Sequence, residues 1–176
     1  LKKWPAGSDF GLADGGESST FRIPADFWLS PRRATRLKCG VRLRGVGILD
    51  FAACASDRDG VFVTAMMRTI CEPSTLTTVH VRGKELSLSG AHAIATALDD
   101  TPELKKLRIN AELDVQGLTT KESVDLSKNK PALCAAEAII VARCIEVNRA
   151  LTSLNLRENK IGAGGAKAIA DSLPQS

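Results

Sequence analysis

Residues 76–98 and 151–173 of this chain align without a gap, and a sequence that repeats itself over so long a window has few folds open to it. The first copy runs from Leu76 through Val79, Val81 and Leu86 to Gly90, Ala91, Ala93, Ile94, Ala95 and Leu98. The second runs from Leu151 through Leu154, Leu156 and Ile161 to Gly165, Ala166, Ala168, Ile169, Ala170 and Leu173. Each copy changes period half-way. Its first half, L-x-x-L-x-L, alternates apolar and polar residues as a short strand with one buried face requires, and Lys84 or Asn159 marks the turn that follows. Its second half, G-A-x-A-I-A-x-x-L, sets small residues first and bulkier ones at helical spacing, so that a helix can lie close to its neighbour. One such unit cannot bury both apolar faces alone, which calls for a stack of them.

A further unit begins at Leu104, with Leu107 and Ile109, so the step from Leu76 to Leu104 sets the period. Strands are expected near 76–82, 104–110 and 151–157, in one parallel sheet, with helices near 89–99 and 164–173. In pattern and period these units resemble the leucine-rich repeats of the ribonuclease-inhibitor type. The resemblance implies an α/β fold, a short solenoid with parallel strands on its concave side and helices on its convex side. It covers the greater part of the chain, from about position 48 to position 173. The implied repeat domain is 48–176, in units near 48–75, 76–103, 104–150 and 151–176. One period back from Leu76, Ile48, Phe51 and Ala53 fall at strand positions, followed by a helix around 60–70. From Leu104 to Leu151 the step is longer than one period. There Val124-Asp-Leu126-Ser-Lys-Asn129 repeats the Leu154-to-Asn159 signature, which reads as an extra strand after a linker without a helix, then a helix from about Cys134 to Val147. A surface insertion within one long unit is the simpler alternative.

The N-terminal part is built differently. All seven aromatic residues precede residue 63, and residues 1–47 read as an irregular arm with Trp4, Phe10, Phe27 and Trp28 as candidate anchors for a partner. Within that arm Arg32, Arg33, Arg36, Lys38, Arg42 and Arg44 form a basic segment, 32–44, without an acidic residue. Such a run suits phosphate or an acidic protein surface, and its lack of interleaved aromatics weakens the case for base stacking. The opening Leu-Lys-Lys-Trp-Pro lacks an initiator Met, so a processed or partial chain is expected.

Catalytic groups are sparse. The chain has two histidines and no tyrosine, and its five scattered cysteines contain no C-x-x-C pair, which argues against a disulfide framework and a zinc site. They read as small buried hydrophobes in an intracellular, reducing compartment, the cytoplasm. Asp9-Phe10-Gly11 matches a kinase tripeptide without the glycine-rich loop, strand lysine or catalytic loop a kinase needs. The most apolar segment, 132–145, carries Glu137 and Arg143, so no membrane insertion is expected. The sequence implies no cofactor, no metal and no enzyme.

Binding is the better-supported role. In repeats of the resembled class, strand residues between the buried leucines face the concave side, here Thr78, His80 and Arg82, then Lys106 and Arg108, then Asn155 and Arg157. That surface is basic and polar and suits other protein subunits with acidic surfaces. The expected function is a non-enzymatic protein–protein interaction module, a scaffold or accessory subunit. The alternatives are a regulator of an enzyme such as a small GTPase or nuclease, and an RNA-associated protein using segment 32–44.

Overall fold

The computed structural model describes residues 19–22, 46–51, 63, 64, 67, 75–81 and 86–173. Five short strands follow one another across a sheet: β1 (Ser19–Arg22), β2 (Val46–Asp50), β3 (Thr78–His80), β4 (Lys106–Arg108) and β5 (Glu112–Asp114). The first four run parallel, and β5 turns back antiparallel to β4. Thr78 lies opposite Lys106, so the period read from the sequence is the actual register there. Between β2 and β3 the step is longer, with Ile48 opposite Thr78. Leu49 and Phe51 are buried and Ile48 is half-exposed. A two-residue slip keeps the same face inward because strand side chains alternate with period two. Ala53 lies outside the described residues. The arm expected to be irregular contributes β1, which adds to β2 with Thr20 opposite Ile48 and Phe21 opposite Leu49.

Ser87 starts the first described helix, α1 (Leu88–Ala97), its hydroxyl accepting the Gly90 N–H at 3.1 Å. After β4 the chain departs from the repeat. The linker expected to lack a helix holds β5 and a short helix, α2 (Val115–Thr120), capped by the Asp114 carboxylate on the Gly117 N–H at 2.9 Å. The extra strand does form: β6 (Ser123–Asp125) pairs in parallel with β7 (Ser153–Asn155), and α3 (Ala135–Val147) and α4 (Gly162–Ser172) follow those strands. One parallel sheet holding all the strands is not what the chain builds. β5 takes the edge of β4 that the next parallel strand would use, so β6 and β7 form a separate two-stranded sheet.

The helix layer stays continuous where the sheet divides. α3 packs against α1, α2 and α4, and one apolar cluster runs from Leu49 to Ile169. Residues 136–142 of α3 are all buried, because α1, α2 and α4 pack around that part of the helix, while Glu146 and Val147 at its end are exposed. Gly165 makes the α3–α4 approach possible, since a Cβ there would stand 2.7 Å from that of Ala138. Two polar clamps pin residues 109–121 to α3. At its start the buried Glu137 accepts the N–H groups of Asn110 (3.0 Å) and Ala111 (2.7 Å) on Oε1 and that of Cys134 (2.9 Å) on Oε2. At its end the buried Asn148 donates from Nδ2 to the carbonyls of Leu118 and Lys121, both at 2.9 Å.

Candidate protein-interaction surface

Alternation along β2 to β5 sends Leu49, Val79, Leu107 and Leu113 into the core and leaves the intervening side chains outside. The register then arranges those outer positions in two rows. One row reads Asp50, His80, Arg108, Glu112, and the other Ile48, Thr78, Lys106, Asp114. Adjacent strands lie about 4.8 Å apart, so neighbours along a row are close enough to interact.

This face is a mosaic rather than a single-sign patch. Glu112 sits 3.2 Å from Lys106 and 4.0 Å from Arg108, and Asp114 lies 2.9 Å from Lys121. Burial alone raises the Asp114 pKa. The Lys121 ammonium and the Gly117 N–H outweigh that effect, with Lys106 adding to them, and hold the carboxyl below its ordinary value. Because the folded-state value is depressed, this contribution is present at neutral pH and fades as pH falls through it. The side chain is 58% exposed, so solvent screening keeps the contribution small.

Of the residues expected to bind a partner, Thr78, His80, Lys106 and Arg108 share this face. Asn155 is on β7 and Arg157 beyond it, with the second sheet, so these two do not join the others. Asn155 is engaged locally: its Oδ1 accepts the Arg157 N–H at 3.1 Å and its Nδ2 donates to the Ser127 hydroxyl at 3.3 Å. Arg82, the arm anchors Trp4, Phe10, Phe27 and Trp28, and the basic segment Arg32, Arg33, Arg36, Lys38, Arg42 and Arg44 lie outside the described residues. Asp50, Glu112 and Asp114 were missed by the sequence reading. The last two depend on the reversal at 109–111, Ile-Asn-Ala, which carries no Asn-Gly or Asp-Gly turn signal.

A cavity of about 330 Å³ opens beside α2 and α3, with Leu104, Val115 and Cys144 among its lining and Arg143 at its side. Arg143 is tied to Asp99 and Glu146, each at 2.7 Å. Burial pushes the Cys144 thiol up to about 12, with Arg143 lowering it only in part, so it stays protonated at neutral pH. Among the described residues no three His, Cys, Asp or Glu side chains converge to hold a metal ion. No described helix is long and apolar enough to cross a membrane. At pH 8 the half-buried Cys134 is expected to react with iodoacetamide at least tenfold faster than Cys144, followed site by site by mass spectrometry, since only the thiolate attacks. Equal rates would mean that α3 opens readily to solvent.

A family model described as Leucine Rich repeat matches residues 147–170, from the end of α3 through β7 and most of α4. No match is found among curated proteins. Leucine-rich repeat domains generally mediate contacts between proteins and are typically non-enzymatic. The family match, together with the parallel strand–helix units, supports reading this chain as a leucine-rich repeat protein.

Proposed function

We propose that this protein is a non-enzymatic protein-interaction module, a scaffold or accessory subunit of a larger assembly, built as a short solenoid of the ribonuclease-inhibitor type. One observation carries the reading: on the outer side of β2 to β5 the rows Asp50, His80, Arg108, Glu112 and Ile48, Thr78, Lys106, Asp114 bring seven polar side chains together, over the buried Leu49, Val79, Leu107 and Leu113. Short strands held in register present such rows on a backbone that is already ordered, so binding has only the side chains to immobilise. The acidic partner surface expected from the strand sequences meets cations already engaged by Glu112, which favours a partner carrying both signs. The free Cys134 and Cys144 support a reducing compartment, on this reading the cytoplasm.

The test is affinity purification of the tagged full chain from its source, beside a Lys106→Ala, Arg108→Ala double variant whose circular dichroism is unchanged. At least one stoichiometric partner is expected to fall tenfold or more in the variant. Identical partner sets would overturn the assignment of this face. Ribonuclease treatment before elution separates a protein contact from one bridged by RNA through segment 32–44, and a nuclease or small GTPase as the partner would favour the regulatory alternative.

A further inference from the structure

The helix α2 has six residues where α1, α3 and α4 have 10, 13 and 11, and it leaves a gap beside the ends of α1 and α3. The cavity of about 330 Å³ opens there. Its floor is apolar, made by Leu98, Leu104, Val115 and Cys144, all buried except the half-buried Leu98. Val147, at the end of α3, forms one wall and is 48% exposed, so the apolar lining continues out to the surface. Ligand sites run from about 300 to 1,000 Å³, and this one, at the small end, suits a single anchoring side chain better than a larger molecule.

The mouth has a sign. The Arg143 guanidinium is already held by Asp99 and Glu146, each at 2.7 Å, two carboxylates against one cation. The other charged lining residues are Glu103 and Lys105, so among the described residues the rim sets three carboxylates against two cations. The last turns of α1 and α3 end at the same rim and add the negative ends of their dipoles. An aliphatic group entering here meets an apolar floor, and a cation beside it meets an anionic rim. Gln116 is exposed at the rim, and its amide both donates and accepts, as a peptide backbone requires.

We infer that this cavity is a second protein-interaction site, one that takes a leucine or isoleucine side chain of a partner segment carrying lysine or arginine beside it. The site shares no residue with the polar face of β2 to β5 and does not depend on the role proposed for that face.

The experiment pans a phage library of random twelve-residue peptides on the immobilised full chain, after depletion on a Val147→Trp variant whose indole covers the mouth. Enriched peptides are expected to share Leu or Ile with Lys or Arg within two residues of it. A synthetic consensus peptide should bind the parent at least tenfold more tightly than Val147→Trp and about threefold more tightly than Glu103→Lys, both variants having unchanged circular dichroism. Its affinity for the Lys106→Ala, Arg108→Ala double variant should equal that for the parent, which keeps this site distinct from the polar face. No enriched sequence, an acidic consensus, a consensus without an aliphatic residue, or equal binding to parent, Val147→Trp and Glu103→Lys would each overturn the inference. A dimer of the parent in sedimentation that Val147→Trp abolishes would also overturn it, because the occupant would then be a second copy.

Discussion

Replacing Glu137 by alanine is expected to lower the unfolding free energy by about 3–5 kcal/mol, read as a shift of the urea midpoint followed by circular dichroism. The carboxylate is fully buried and accepts three backbone N–H groups, two of them in the turn between β4 and β5. Alanine leaves the buried Ala111 N–H and the part-buried Asn110 and Cys134 N–H groups without their acceptor and removes what ties the hairpin to the start of α3. Against a typical domain stability of about 5–15 kcal/mol, that loss is a large fraction. Glu137→Gln separates the charge from the shape. It keeps an oxygen for Asn110 and Ala111 but sets an N–H₂ group against the Cys134 N–H, so roughly half the effect is expected. A Glu137→Ala variant within about 1 kcal/mol of the parent would show that the clamp contributes little to the fold.

Asn159→Ala is expected to cost about 2–4 kcal/mol and to lower Tm by about 5–15 °C. The Asn159 Nδ2 donates to the carbonyls of Leu126 (3.2 Å), Leu156 (3.0 Å) and Arg157 (3.2 Å), and its Oδ1 accepts the Leu133 N–H at 2.8 Å. Two of these bonds cross to the preceding unit, so one side chain joins the β6 and β7 units. The same position of that preceding unit supplies the comparison. Asn129 holds a buried Nδ2 without a hydrogen-bond partner, and the Leu126 carbonyl three residues before it is the one Asn159 uses. Asn129→Ala should therefore change stability by less than about 1 kcal/mol. Equal losses at the two positions in thermal unfolding would contradict this account of the ladder.

The strand–helix units were legible because they rest on local periodicity. Val79 and Leu107 alternate with polar neighbours, and Ala91, Ile94 and Ala95 recur at helical spacing, so β3, β4, α1 and α4 fall where the sequence places them. The helix near 134–147 was legible for the same reason. What escaped depends on partners distant in sequence. Leu104-x-x-Leu107-x-Ile109 reads like the other units, and the reversal into β5 is fixed by Glu137, far along the chain from Asn110. Once β5 occupies the edge of β4 the single sheet is lost, and no local pattern announces it. The interaction face was half legible: Thr78, His80, Lys106 and Arg108 follow from strand alternation. Asp50 required the longer β2–β3 step, and Glu112 required the hairpin.

The division of the sheet between β5 and β6 has a consequence for how the molecule comes apart. In an unbroken solenoid each layer is coupled to the next twice, through the strand ladder and through the helices, and unfolding spreads along both. Here the backbone ladder is interrupted, so the β6–β7 unit communicates with the first sheet through side chains on α3 and the turn it grips. Such a division favours opening in two steps, with the helix layer as the remaining link between them. With its leucines only half-buried, the unit of β7 and α4 is expected to exchange its amide protons at lower free energy than β2 to β4, whose inner side chains are fully buried.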